Sequence, residues 1–221
     1  KAVYELFNTQ RVYDPCGGWG DRMAGAMACG VNHYHCRDVN PLVFSGYALQ
    51  QKMLPTTTHV TFEYRGAEID PPADEWFDLV FTSPPYYKIE KYHGDKQSIR
   101  QYKKCDEWIE KFLLEMVNHS WQSLTSKGFM LINISDCYVD HRYNKLCKPL
   151  VAHCLEKLDE CHLMGVIGYE IGSRMGRRVQ SGVNAEPIFI FEKGNKTDFA
   201  KLLPQEQLII ERKDDEHNTI G

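Results

Sequence analysis

The sequence lacks long apolar runs, paired-cysteine metal motifs and any excess of basic residues. No stretch of its 221 residues approaches the roughly 18 consecutive apolar residues of a membrane helix, so we expect no membrane partner. The start, KAVYELFNTQ, shows no signal-peptide pattern. Position 1 is Lys rather than Met, and we therefore expect the chain to begin inside a longer protein.

The eight cysteines include no C-x-x-C pair, which disfavours a zinc ribbon, and we expect no metal site. Cys147, Cys154 and Cys161 recur every seven residues, close to two helical turns. A metal or redox site is one interpretation, but small side chains that pack a core are the favoured one. This cysteine usage predicts a reducing, intracellular compartment: the cytoplasm, or the nucleus in a eukaryote.

The charge balance of 26 Lys+Arg against 30 Asp+Glu gives a net charge of −4, which argues mildly against a nucleic-acid partner. Apolar residues at 43% and charged residues at 25% are ordinary for a globular protein and exclude disorder, collagen and coiled coil. The length fits one domain, which we predict over 1–193. We predict that 194–221, which contains the charge run ERKDDEH, is a tail or a loosely docked segment.

Apolar runs alternate with amphipathic segments along the predicted domain. Strands are predicted at 11–14, 32–37, 59–64, 76–82, 128–135, 163–171 and 187–192, and helices at 21–29, 41–53, 106–124 and 145–158. This order predicts an α/β fold with a seven-stranded, mostly parallel sheet, helices on both faces and an antiparallel closing hairpin. The long unassigned stretch at 86–105 is typical of a functional or mobile loop.

A glycine-rich turn, Asp14-Pro-Cys-Gly-Gly-Trp-Gly, joins the first strand to the first predicted helix. Ligands of doubly wound sheets bind at this position, and glycine lets the backbone approach them closely. Asp38, at the end of the next strand, is suited to bind the hydroxyls of a ribose. The turn lacks the spacing of dinucleotide motifs and the lysine of a P-loop, and Asp14 would repel a phosphate. A positively charged ligand with a ribose fits better, which favours S-adenosylmethionine.

The fourth strand ends in Ser83-Pro84-Pro85-Tyr86. Two prolines cannot continue a central strand, and they form a stiff platform at the sheet edge. Ser83 offers a hydroxyl and Pro84 a carbonyl as acceptors, and Tyr86 offers an aromatic face. This combination suits a nucleobase that is flipped out of its stack for chemistry at its amino group.

The two motifs together resemble those of the amino-group DNA methyltransferases, which modify N4 of cytosine or N6 of adenine. The resemblance covers about 11–193 and includes DVNP at 38–41, GFMLINISD at 128–136 and NAEPIFIFEKG at 184–194. It implies a Rossmann-like class I methyltransferase fold. Ser at the first position of the SPPY motif is commoner among the N4-cytosine members of this family.

The resemblance also implies roles for individual residues. The cofactor residues that it implies are Asp14, Cys16, Gly17, Gly18, Gly20, Asp38 at the ribose, Asn40 near the adenine, and Glu68 as a substitute for the acidic residue after strand three. Ser83 and Pro84 would bind the target amino group, with Pro85 stiffening the platform and Tyr86 stacking on the base. No general base with a matched pKa is evident, and orientation would contribute most of the catalysis.

Three short insertions remain for recognition: 87–105, 136–145 and 172–185. Taken together they are net basic, and we predict that they form a nucleic-acid track around the platform. The track residues that we single out are Tyr87, Lys88, Lys91, Arg100, Arg142, Arg174, Arg177 and Arg178. Ordinary solvated loops are the alternative, and Tyr87 and Tyr92 are equally compatible with packing.

The sequence has no room for a large recognition domain, so specificity would come from these loops, from flanking sequence, from a partner chain or from a homo-oligomer. DNA is the favoured substrate, and RNA stays open. A glutamine amide is a further alternative, against which Ser83 in place of Asn counts. A non-catalytic binding subunit is the last alternative, against which the intact glycine turn counts.

Overall fold

The computed structural model describes residues 1–170, 185–198 and Leu202. Its centre is a seven-stranded sheet in the order β3-β2-β1-β4-β5-β9-β8. The strands are β1 (Arg11–Asp14), β2 (His33–Asp38), β3 (His59–Tyr64), β4 (Phe77–Thr82), β5 (Leu124–Asn133), β8 (Cys161–Glu170) and β9 (Ala185–Lys193). Neighbours from β3 to β5 pair in parallel, whereas β9 is antiparallel to both β5 and β8. The predicted sheet and its closing hairpin are confirmed.

Helices cover both faces of this sheet. They are α1 (Ala2–Leu6), α2 (Asp21–Cys29), α3 (Val43–Met53), α4 (Ser98–Gln101), α5 (Cys105–Trp108), α6 (Glu115–Ser123) and α7 (Cys147–Lys157). Strand residues alternate between two apolar clusters: Val12 packs with α1 to α3, and Tyr13 packs with α5 to α7. This alternation follows from the two-residue period of a strand.

The predicted helix over 106–124 is interrupted in the structure. A π-helical segment, Ile109–Leu114, separates α5 from α6, and β5 begins already at Leu124. A π-helical turn shifts the helix face relative to an α-helical period, which an apolar repeat alone does not reveal. The third helix also begins later than predicted, at Val43, because Asn40 and Pro41 belong to the turn that precedes it.

The structure forms elements where the sequence predicted only loops. Residues Tyr87–Ile89 form a 3₁₀ turn and Ser98–Gln101 form α4. Residues 137–144 form a hairpin of β6 (Cys137–Val139) and β7 (Arg142–Asn144). The expectation for the cysteines is consistent with the structure, because Cys154 is buried in α7 and Cys161 begins β8 instead of sharing that helix.

The described residues hold no helix that is both long and apolar enough to cross a membrane. The predicted tail at 194–221 falls largely outside the described residues, as does the predicted insertion at 172–185 apart from Ala185.

Candidate functional site

The glycine turn after β1 is held from behind by a buried charge network. Asp14 is fully buried, and its Oδ2 accepts hydrogen bonds from Arg22 Nε at 2.7 Å and from the Tyr34 hydroxyl at 2.6 Å. Its Oδ1 accepts one from Thr82 Oγ1 at 3.0 Å. Arg22 therefore neutralises the Asp14 carboxylate inside the protein. Asp14 supports the turn and is not among the residues that line the pocket described below. Its role in cofactor binding stays a prediction.

Close packing explains why the turn needs glycine. A Cβ at Gly17 would lie 2.6 Å from the Tyr47 hydroxyl, and Gly20 has a φ of 90° as it begins α2. The Tyr47 hydroxyl donates to the Gly18 carbonyl at 2.6 Å. The backbone of the turn is thereby pressed against β2 and α3, and its outer side is open to a ligand.

Asp38, the last residue of β2, is fixed in orientation by the backbone. Its carboxylate accepts hydrogen bonds from Gly18 N at 2.8 Å and from Asn40 N at 2.7 Å. Burial raises the pKa of Asp38, and these two N–H donors oppose that rise. Each oxygen keeps further acceptor capacity, which can accept the hydroxyls of a bound sugar.

A pocket lies at the carboxyl ends of β1, β2, β3 and β4. Of the residues predicted for the site, those that line it are Cys16, Gly18, Asp38, Asn40, Glu68, Ser83 and Pro85. The C-terminal edge of parallel strands is where α/β proteins bind ligands, because the loops after adjacent strands converge there. The structure thus brings the two predicted motifs to one cavity.

Glu68 is buried in the wall of this pocket, and its Oε2 has no hydrogen-bond partner among the described residues. Burial raises the pKa of Glu68. A buried acceptor without a donor costs free energy unless a ligand supplies one. The position therefore fits a ligand that carries an amino group.

The far wall of the pocket comes from residues 90–99, which we call the wall segment. Glu90, Tyr92, Lys96, Gln97, Ser98 and Ile99 of this segment line the pocket, together with Phe112 of the π-helical segment. About half of the insertion predicted as a nucleic-acid track thus contributes to this pocket. Its contact with nucleic acid stays a prediction. No periodic signal marked these residues, because their burial depends on partners far along the chain.

Hydrogen bonds between uncharged groups hold the wall segment in place. The fully buried Trp108 donates from Nε1 to Ser98 Oγ at 2.9 Å. Gln97 accepts from Tyr92 N at 2.9 Å and donates to the Gly94 carbonyl at 3.3 Å. These bonds hold the segment facing the glycine turn.

The SPPY platform lies between the pocket and β9. Ser83 and Pro85 face the pocket, whereas Pro84 is buried. Tyr86 is not in the pocket lining, and its hydroxyl donates to Glu186 Oε2 at 2.9 Å. Burial, aided by Glu186, raises the pKa of Tyr86, so this residue stays neutral.

The residues predicted for a nucleic-acid track differ in their surroundings. Tyr87 is buried against Trp108, with ring centroids 5.7 Å apart, and donates to the Lys103 carbonyl, so it is a core residue and not a stacking residue. Lys88 pairs with Asp140 at 2.6 Å. Of the remaining predicted residues, Arg100 pairs with Asp95 at 2.6 Å, Lys91 and Arg142 are exposed, and Arg174, Arg177 and Arg178 lie outside the described residues. In the part of the chain that the structure describes, no three His, Cys, Asp or Glu side chains are grouped to hold a metal.

Comparisons with solved structures identify the fold. The chain is similar to an rRNA methylase from Streptococcus thermophilus, at 14% identity and a TM-score of 0.50 over 87% of this chain and 97% of that one. It is similar to an S-adenosylmethionine-dependent O-methyltransferase from Thermotoga maritima, at 9% identity and a TM-score of 0.51 over 89% and 64%. A third similar structure concerns the conversion of a disulfide bond into a thioacetal group during echinomycin biosynthesis, at 14% identity and a TM-score of 0.57 over 91% and 83%. The fold is the Rossmann-like class I methyltransferase fold.

A family model described as DNA methylase matches residues 77–219. The chain belongs to this family of amino-methyltransferases, and it is an S-adenosylmethionine-dependent methyltransferase. A comparison with curated protein sequences finds no match.

Proposed function

We propose that the protein transfers a methyl group from S-adenosylmethionine to an exocyclic amino group of a nucleobase in DNA. N4 of cytosine is the favoured target, and N6 of adenine is the second. The observation that carries this proposal is that Asp38, Glu68 and Ser83 line one and the same pocket. A cofactor and an amine held there would lie side by side at the sheet edge.

The residues of the pocket fit the cofactor. Asp38, held by two backbone N–H groups, is positioned to accept the ribose hydroxyls. Glu68, with its unpartnered Oε2, would accept a hydrogen bond from the adenine amino group. Asn40 lines the same pocket and would lie near the adenine ring. S-adenosylmethionine supplies a methyl group activated by a positively charged sulfur.

The platform would orient the target amine. Ser83 Oγ and the Pro84 carbonyl accept its two N–H groups, so that the nitrogen lone pair faces the pocket. A nitrogen–carbon bond then forms as the carbon–sulfur bond breaks, and the extra proton leaves to solvent. Fixing the two reactants in line converts a bimolecular step into a nearly unimolecular one, which is where the rate enhancement would arise.

The target base would be flipped out of its stack to reach this platform, with Tyr86 beside it. The hydrogen bond from Tyr86 to Glu186 restrains the ring. Sequence specificity would come from short loops, from a partner chain or from a second copy of the protein. A non-catalytic binding subunit is disfavoured by the intact lining of the pocket.

A methyl-transfer assay tests the proposal. Labelled S-adenosylmethionine is incubated with the protein and unmodified DNA, RNA, nucleosides or a glutamine peptide, and the product is identified by mass spectrometry. We expect N4-methylcytosine in DNA. Methylation of RNA or of glutamine instead of DNA would overturn the assignment of the substrate.

Ser83→Ala and Tyr86→Ala should each lower turnover strongly, by roughly 100-fold for Ser83→Ala, because a preorganised contact to the reacting group is lost. Calorimetry should show cofactor affinity within a few-fold of the wild type. Ser45→Ala, on the exposed side of α3, is the control and should leave both quantities unchanged. A parallel loss of cofactor affinity and turnover in both platform variants would contradict the assigned roles.

A further inference from the structure

The hairpin of β6 and β7 projects from the molecule beside the platform. Its turn is formed by Asp140 and His141, which have φ values of 53° and 58°. Two consecutive left-handed residues are the geometry of a two-residue type I′ turn, which matches the twist of paired strands. Cys137, at the start of β6, is buried in the core, so the hairpin is anchored at its base.

Two tyrosines lie directly opposite each other on the hairpin. Tyr138 of β6 pairs with Tyr143 of β7 in the antiparallel register. Their exposed fractions are 67% and 62%, although tyrosine is on average intermediate in burial. Directly opposed side chains share one face of a hairpin, so the two rings form one aromatic surface. The Tyr143 hydroxyl donates to Asp136 at 3.0 Å, which restrains this ring.

The hairpin is physically joined to the segment that follows the platform. Asp140, in the turn of the hairpin, forms an ion pair with Lys88 at 2.6 Å. Lys88 follows Tyr86 of the platform by two residues. The aromatic surface therefore lies on an element that contacts the segment next to the proposed base-binding site.

The charges around the aromatic surface favour an anionic partner. The two acidic residues of the segment are already engaged: Asp136 Oδ1 accepts from Leu146 N and Cys147 N, and Asp140 pairs with Lys88. Arg142 and Lys145 are exposed, and neither has an ion-pair partner in the described part of the chain. Arg142 is opposite Val139 in the register, so it leaves the hairpin on the face away from the two rings, whereas Lys145 follows Tyr143 by two residues. Exposed aromatic rings on an element that also carries unpaired cations fit a surface that stacks bases and tracks phosphates.

We propose that Tyr138 and Tyr143 stack on nucleotides that flank the target base in a DNA strand, with Arg142 and Lys145 at the phosphates. The proposal rests on the proposed function. It assigns DNA contact to a rigid hairpin in place of the wall segment, which lines the pocket. A protein partner or a second copy would not need the two cations.

The test compares the double variant Tyr138→Val/Tyr143→Val with Tyr143→Phe. Valine keeps the preference for strands and removes both rings, whereas phenylalanine keeps the ring and loses only the hydrogen bond to Asp136. The binding of a fluorescent DNA oligonucleotide is measured by anisotropy in the presence of S-adenosylhomocysteine. We expect the double variant to bind DNA about tenfold or more weakly, and Tyr143→Phe to bind within a few-fold of the wild type.

Calorimetry with S-adenosylmethionine and a melting curve serve as the fold controls and should be unchanged in the double variant. Should the double variant fold poorly, Tyr138→Val alone provides the test, because it removes one exposed ring, and it should weaken DNA binding several-fold. Wild-type DNA affinity in the double variant, or in Tyr138→Val where that variant replaces it, would overturn the proposal even if the wild type methylates DNA. A wild type that binds RNA and not DNA would also overturn it. Loss of DNA binding without any detectable transfer would support the hairpin and count against the proposed reaction.

Discussion

The two walls of the pocket differ in how the protein holds them. The glycine turn at 14–20 rests on the buried ion pair of Asp14 and Arg22, which is also bonded to β2 and β4. The wall segment at 90–99 lies nearer the surface: its most buried hydrogen bond is an uncharged one, from Trp108 to Ser98, and its ion pair between Asp95 and Arg100 is exposed. The first wall is therefore part of the core of the sheet, whereas the second is a cover laid over it.

The difference implies separable roles. A change behind the glycine turn should weaken the whole fold, because an unpaired charge would be left in the core. A change at the tip of the wall segment should weaken cofactor binding and leave the sheet intact. The predictions below would sharpen or break this distinction.

Arg22→Met should have the largest effect, a loss of about 3–5 kcal/mol in the free energy of unfolding, because Asp14 would stay buried without its partner. Urea unfolding measures it. Lys111→Met, which breaks the exposed pair with Glu107, is the matched control and should leave the free energy of unfolding almost unchanged, because exposed ion pairs are screened by water. Equal stabilities for the two variants would show that the pair does not anchor the turn.

Gly94→Ala should weaken S-adenosylmethionine binding by about tenfold, equivalent to about 1.4 kcal/mol. Gly94 has a φ of 101°, and a Cβ there would lie 3.1 Å from the Val39 carbonyl across the mouth of the pocket. The strain should push the wall segment outward, with only a small change in the melting temperature. Gly46→Ala, on an exposed helix position with nothing within 4 Å, is the control and should bind the cofactor normally. If Gly94→Ala lost cofactor affinity only to the extent that the protein unfolds, the wall segment would have no separate role in binding the cofactor.

Glu68→Gln should have the smallest effect, a change in the pH dependence. Burial raises the pKa of Glu68 in the folded protein, so the native state holds a proton more tightly than the unfolded chain. Its contribution to stability is therefore fully present below the unfolded pKa and is lost as the pH rises through the folded pKa. Melting temperatures across this range should fall less steeply with rising pH in Glu68→Gln than in the wild type.

Glu5→Gln, at an exposed carboxylate of α1, is the control and should keep the wild-type slope. Cofactor affinity of Glu68→Gln at neutral pH should fall a few-fold, because an amide accepts a hydrogen bond from an amino group less strongly than a carboxylate. If Glu68→Gln left both the pH dependence of the melting temperature and the cofactor affinity unchanged, Glu68 would have no role in the site.

The strands and the edges of the pocket could be predicted because their signals are local. Apolar periodicity marked each strand, and Asp38, Glu68 and Ser83 follow three strands whose carboxyl ends meet. The π-helical segment could not be predicted, because it changes the hydrogen-bond register without changing the apolar repeat. The burial of Tyr87 could not be predicted either, since its partner Trp108 lies on a different element.

The sequence by itself determined the order of the seven sheet strands along the chain, the main helices between them and the two motifs that meet at the sheet edge. Local periodicity and turn chemistry suffice for all of these. Only the tertiary structure decided where the insertions at 87–105 and 136–145 lie. The first covers the pocket, and the second forms a hairpin that extends from the surface. Both carry tyrosines and cations, so composition does not separate them. Which side chains are buried depends on hydrogen bonds and apolar contacts with residues distant in the chain, such as those of Trp108, and these exist only once the sheet has formed.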